Sequence, residues 1–283
     1  MRGLSASARA RNPLPEGTAA VGAGLLVLGL ASYGFLVISG RALGPAAFAP
    51  LSALWAVVFT VGPGVFVPLE QEVARVVAAR RAVRTGGRPV VRRARHLAAT
   101  ATLVLLLAIV AGHRALLDEL LATDVLLLAA LALGLAGYAV EHLLRGTLAG
   151  TGRFGAYGTV LAVEGLTRLA ASMALALVGV RGVGAYGLAF GVAPLVGAAV
   201  WLGLRRPLTR PGPASDWRDL STAFGWLLAA QLLAQFLVNG PQIVVVALAR
   251  EVEKGEAGRF IAGVILARVP LFLFAAIQAA LLP

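Results

Sequence analysis

Long apolar runs set the pattern of this chain, and short basic or polar stretches interrupt them. A helix rises about 1.5 Å per residue, so roughly 20 apolar residues cross the ~30 Å hydrocarbon core of a bilayer. Seven stretches are long and apolar enough: Ala19–Gly40, Ala46–Pro68, Leu97–Gly112, Val125–Leu144, Ala156–Val178, Val183–Leu204 and Phe260–Leu282. Leu97–Gly112 is the shortest and is expected to extend at one end. An eighth run, Leu220–Ala249, is long enough to tilt or kink. Asn239-Gly240-Pro241 sits inside it, where a missing amide donor and a relaxed backbone predict a kink, with Gly240 and Pro241 as a hinge. The pattern predicts an all-α polytopic membrane helix bundle of eight spans, with Leu220–Ala249 as the seventh.

Composition narrows the class. Of the 283 residues, 59% are hydrophobic and 13% charged, and the mean hydropathy is +0.86. A soluble domain carries about 45–50% apolar and about 25% charged residues, and a disordered chain is less hydrophobic still. Both classes are excluded. Without cysteine there is no disulfide framework, thiolate metal site or cysteine nucleophile. His96, His113 and His142 are too scattered to suggest a metal cluster, and no cofactor is expected. The net charge of +12 would suggest nucleic acid for a soluble protein. Here it points instead to cytoplasmic loops and anionic membrane lipid.

The basic residues also orient the chain. Seventeen fall in one alternating set of connections: Arg2, Arg9 and Arg11; the stretch Arg75–Arg95; Arg145 and Arg153; and Arg205 to Arg218. Six fall in the other set: Arg41, Arg114, Arg181, Arg250, Lys254 and Arg259. The positive-inside rule puts the first set, and the N-terminus, in the cytoplasm. The first apolar run is too long for a signal-peptide core and no A-x-A-like site follows it, so no cleavable leader is expected. Glu70–Arg84 continues span 2 as a basic amphipathic helix, with Val73, Val76 and Val77 on one face, expected to lie on the membrane interface.

Two junctions resemble each other. Arg41 to Phe48 joins spans 1 and 2, and Arg250 to Phe260 joins spans 7 and 8. Each reads Arg, a short linker, Gly, one residue, Ala, then Phe opening the next run. Parallel repeats about an axis along the membrane normal would produce this. The expected organisation is a cytoplasmic segment at 1–18, a six-helix lobe at 19–204, a linker at 205–219 and the first two helices of an incomplete second lobe at 220–283.

Charges inside spans carry the candidate chemistry, because an ion in hydrocarbon needs a partner or a water-filled cavity. Glu164 and Arg168 lie four apart on one face of span 5, with Arg168 close to mid-membrane. A structural ion pair and a cavity role are both open. Arg268 in span 8 also lies near mid-membrane, and its helical neighbours Val264, Ile265, Leu271 and Phe272 offer no carboxylate. Either another helix pairs it or an anionic substrate does, and the substrate reading is favoured. Gln231, Gln235, Asn239 and Gln242 form a polar stripe through the Gly-Pro site, read as a cavity wall or as interhelical hydrogen bonding. Glu141 and Arg145 pair at i, i+4 near the cytoplasmic end as a gate or, favoured, as an interface anchor. Gly187 and Gly191 suggest a close helix crossing.

Other motifs are weaker. Gly150-Thr151-Gly152-Arg153-Phe154-Gly155 matches a dinucleotide fingerprint, but it joins two spans instead of following a strand, so a tight turn is expected. Glu70 and Glu72, two apart, point to different faces and form no catalytic dyad. No hydrolase, metalloprotease or P-loop constellation is present, and no enzymatic activity is expected.

Arg145-Gly146-x-x-x-Gly150-x-Gly152-Arg153-Phe154 followed by Glu164-Gly165-x-x-Arg168 resembles spans 4 and 5 of polysaccharide-export flippases. Arg41-Ala42-Leu43-Gly44-Pro45-x-x-Phe48 and Ala267-Arg268-Val269-Pro270-Leu271-Phe272 are similar to segments of the same family. That family belongs to a superfamily with lipid II flippases and multidrug and toxin extrusion antiporters. The resemblance implies 12 or 14 spans around a cationic cavity in the inner membrane. It also implies flipping of an undecaprenyl-pyrophosphate-linked oligosaccharide by alternating access, driven by protons or sodium. Arg168, Arg268, Glu164, Gln231, Gln235 and Asn239 are then the expected cavity residues. A drug or metabolite antiporter of the same fold is the alternative, and a membrane-bound biosynthetic enzyme a more distant one. Eight spans against twelve or more give the expectation of a partial chain that does not transport alone. Asn239-Gly240-Pro241 stands where an acidic residue would be expected for ion coupling.

Overall fold

The computed structural model describes residues 17–203, 208–216 and 224–267. Eight long helices run in order: α1 (Thr18–Leu43), α2 (Pro45–Ala82), α3 (Arg88–Ala111), α4 (Val125–Gly150), α5 (Phe154–Leu177), α6 (Val183–Leu202), α7 (Phe224–Leu248) and α8 (Lys254–Ala267). A helical turn at His113–Ala115, a π turn at Leu116–Leu120 and a 3-10 turn at Glu251–Glu253 complete the described helix. Helices α1 to α7 are long and apolar enough to cross a membrane, so the chain is an all-α, multi-pass membrane bundle. The eighth expected span extends beyond Ala267, outside the described residues.

Helix α2 is the axis of the bundle. It packs along α4 and α7, and also meets α3 and α8; α1 lies along α5, while α6 packs on α4 and α5. Of its most apolar window, 61% is buried, against 17% for α3 at the rim. The rim helices turn Leu103, Val104, Leu107 and Val110 of α3 and Leu233, Phe236 and Leu237 of α7 outward, an apolar surface suited to lipid.

Two helices run past their apolar stretches, as the sequence predicts. Span 2 and the amphipathic stretch after it are one 38-residue helix running through Pro50, Pro63 and Pro68. At about 57 Å it outreaches the hydrocarbon core. Its Val73, Val76 and Val77 face does not lie on the membrane interface as expected. Those valines are buried in the protein core, because glycines of α4 let α2 come close. A Cβ on Gly150 would sit 2.7 Å from Val77 Cβ, and one on Gly146 would sit 2.6 Å from the Glu70 carbonyl oxygen. Helix α3 in turn starts at Arg88, with a proline in its first turn, well before the apolar run at Leu97.

The expected glycine crossing of α6 is present: a Cβ on Gly191 would lie 3.1 Å from Ala130 Cα in α4. Thr151-Gly152 forms the tight turn between α4 and α5, with Gly152 at φ +73°, a left-handed value that favours glycine. The connections segregate to two ends. At one end, the 83–87 turn meets the 208–214 segment: Arg88 N donates to Arg210 O at 3.1 Å, and Arg80 donates to the carbonyls of Pro213 (2.9 Å) and Ala214 (3.2 Å). At the other end, a Cβ on Gly258 would lie 2.9 Å from Pro45 C, so the two junctions that resemble each other in sequence touch. Helix α7 is continuous through Gly240 and Pro241, which is exposed.

Candidate functional site: a buried ionic network

The close approach of α2 to α4 brings charge into the interior. Helix α4 presents Tyr138, Glu141, His142 and Arg145 at helical spacing, and all but Arg145 are fully buried. Helix α2 contributes Glu70, α5 contributes Tyr157, Glu164 and Arg168, and α1 contributes Ser32.

The deeper centre is built on Arg168, which has 0% exposure. Its Nη2 pairs with Glu164 Oε1 and lies 3.4 Å from the Tyr138 hydroxyl, and its Nη1 donates to Ser32 Oγ at 2.9 Å. Tyr138 donates to Glu164 Oε1 at 3.1 Å. Three aromatic rings surround the guanidinium, with Phe190, Trp55 and Phe59 centroids at 4.8, 5.2 and 5.9 Å from Cζ. A desolvated cation over an aromatic face gains about 2 kcal/mol, and here three rings share the role.

The second centre lies about 10 Å away along α4, two turns toward the arginine-rich end. Glu70 is hydrogen-bonded by Tyr157 Oη at 2.6 Å and His142 Nδ1 at 2.6 Å, and it forms an ion pair with Arg145 Nη2 at 3.3 Å. Arg145 also donates to Tyr157 Oη at 2.8 Å and approaches Glu141 Oε1 at 3.5 Å, with its Cζ 5.0 Å from the Tyr157 ring centroid. One arginine therefore ties α2, α4 and α5 together.

The network retains polar capacity. Among the described residues, His142 Nε2, Arg145 Nε and Arg168 Nε are buried without a hydrogen-bond partner, while the Glu141 and Glu164 carboxyl groups approach each other. Among the described residues, no group of three or more His, Asp or Glu side chains could hold a metal ion.

Several expected site residues take unexpected places. Glu164 and Arg168 pair as the spacing predicts, but inside the packed bundle and not on an open cavity wall. Glu141 and Arg145 lie inside the bundle: the glutamate side chain is 0% and the arginine 12% exposed, because Gly146 lets Glu70 of α2 reach them. Asn239 and Gln242 are buried, and Asn239 Nδ2 donates to Gln235 O at 3.1 Å and Oε1 at 3.3 Å within α7. Gln231 is half-buried, and the neighbouring Leu232 packs on Gly64 of α2. Arg268 lies outside the described residues.

Sequence reading missed Glu70, His142, Tyr138, Tyr157 and the aromatic cage. The signal for Glu70 was its register: Phe66, Glu70, Val73 and Val77 share one helical face, and its apolar members are core residues. Glu72 points elsewhere and pairs with Arg75 at 2.7 Å. Compared with protein-family models, curated proteins and solved structures, the chain matches none.

Proposed function

We propose that this chain belongs to a membrane transporter that flips a pyrophosphate-linked oligosaccharide lipid across the bacterial inner membrane, with no chemical reaction of its own. The observation that carries the reading is the ionic network buried across α1, α2, α4 and α5. Apolar side chains would hold static membrane helices together without the desolvation penalty of buried ions. Ion pairs with unsatisfied atoms suit helices that change partners, as alternating access demands. In this reading Glu70, Glu141, Arg145 and Tyr157 form a latch between α2, α4 and α5. Arg168 holds the interior of the lobe, so the substrate diphosphate meets other cations.

The test is transport in proteoliposomes made with the protein expressed from its complete gene. A fluorescent undecaprenyl-pyrophosphate oligosaccharide should become accessible to a glycosidase outside the vesicle. Glu70→Gln should slow this at least ~10-fold while the protein still folds, since the latch loses a charge-assisted bond of about 1.5–3 kcal/mol. Wild-type rates no higher than empty vesicles would sink the flippase reading, and full activity of Glu70→Gln would sink the latch.

A further inference from the structure

The arginine-rich end carries a second feature, separate from the buried network. The C-terminal end of α2, the 83–87 turn, the turn at 151–153 and the 208–211 segment enclose a cavity of about 810 Å³. Arg81, Arg84, Arg88, Arg153 and Arg210 line it, and no acidic side chain does so among the described residues. All five are exposed. Among the described residues, none of Arg81, Arg84, Arg88 or Arg210 is in an ion pair.

We infer that this basin binds a phosphate-bearing anion, a diphosphate or the phosphate of an anionic lipid. The positive-inside rule explains arginines on this end of the molecule, but not their convergence on one concavity from separate parts of the chain. The walls are fixed. Arg80 grips the carbonyls of Pro213 and Ala214, and Arg88 N bonds Arg210 O, so the 208–214 segment is fastened across the 83–87 turn. Gly152 leaves room for Arg81, whose Cζ would stand 3.0 Å from a Cβ there. Helices α3 and α5, 24 residues each, begin at Arg88 and Phe154 beside this cavity, adding the positive ends of two helix dipoles.

The chemistry selects the ligand. The Thr85 and Thr151 hydroxyls already donate to backbone carbonyls, which leaves Thr209 and the guanidiniums of Arg81, Arg84, Arg88 and Arg210 to meet an anion. Arginine forks bind phosphoryl oxygens bidentately, and the convergence of Arg81, Arg84, Arg88 and Arg210 favours a multiply charged anion over a single carboxylate. The volume falls in the ~300–1,000 Å³ range of small-ligand sites. The inference does not rest on the flippase reading and would stand for any membrane protein with this end.

The experiment uses the whole protein in nanodiscs and reads its melting temperature. Inorganic pyrophosphate should raise it saturably, while sulfate at matched ionic strength should not. The exposed pair Arg84→Gln/Arg210→Gln should raise the half-saturating concentration roughly 10- to 100-fold, from the loss of charge-assisted bonds. Arg92→Gln/Arg95→Gln removes the same charge from exposed positions that do not line the cavity and should change it less than about twofold. Two bilayers separate the sources. If phosphatidic acid in the disc weakens pyrophosphate binding relative to phosphatidylcholine alone, the natural ligand is a lipid phosphate. If the two discs bind it equally, the natural ligand is a free diphosphate. An absent or unsaturable response, equal stabilisation by sulfate, or equal loss in both double variants overturns the inference.

Discussion

Arg168 and Glu164 are buried charged groups, so each depends on the other to compensate its charge. Removing one partner of a buried pair leaves an uncompensated charge, a loss of about 3–5 kcal/mol, whereas replacing both with apolar groups is often neutral. Arg168→Ala should therefore lower the melting temperature in detergent sharply, and Glu164→Leu/Arg168→Met should recover most of it. If the double variant is as unstable as the single one, the aromatic cage and Ser32 hold the site, and the ion pair does not. This pair was legible in the sequence because i, i+4 spacing is a local property of one helix. The Glu70 to Arg145 contact was not, since it joins residues 75 positions apart through the docking of two helices. The motif that docks them, Gly146-x-x-x-Gly150, was visible; the partner it faces was not.

At the scale of elements, the latch geometry depends on the distance between α2 and α4. A Cβ on Gly146 would come within 2.6 Å of backbone in α2, so even alanine there must push the helices apart. Gly146→Ala should cost about 1–3 kcal/mol by overpacking and should weaken the Glu70 contacts with it. Gly22→Ala, in α1 with open space around the added carbon, should leave stability unchanged or slightly improved. Thermal melts of the two variants decide the matter: equal behaviour would mean the α2–α4 crossing is loose. Hydropathy placed the apolar centres of the helices well and their ends poorly, for a physical reason. Arg88 and Arg92 lie on helix that begins before the apolar run at Leu97, and an arginine-rich helix end reads as a loop to any apolar count.

At the scale of the whole molecule, the alternation of basic and non-basic connections matches a bundle whose turns gather at two ends. The 83–87, 151–153 and 208–214 segments share one end, and the Pro45 and Gly258 junctions the other. Span counting predicts a lobe at 19–204 and the start of a second at 220–283, and α7 and α8 both pack against α2. Charge predicts which end faces the cytoplasm: an end that carries most of the arginines should be held on the side from which translocating them would be hardest, next to the anionic inner leaflet. The chain has no cysteine, so single introduced thiols report cleanly. Val83, exposed in the turn after α2, and Val252, exposed in the turn before α8, mark the two ends. In intact cells Val252→Cys should react with a membrane-impermeant maleimide and Val83→Cys only after permeabilisation. The opposite pattern would invert the bundle and turn the arginine basin outward, where an inner-leaflet lipid phosphate cannot reach it.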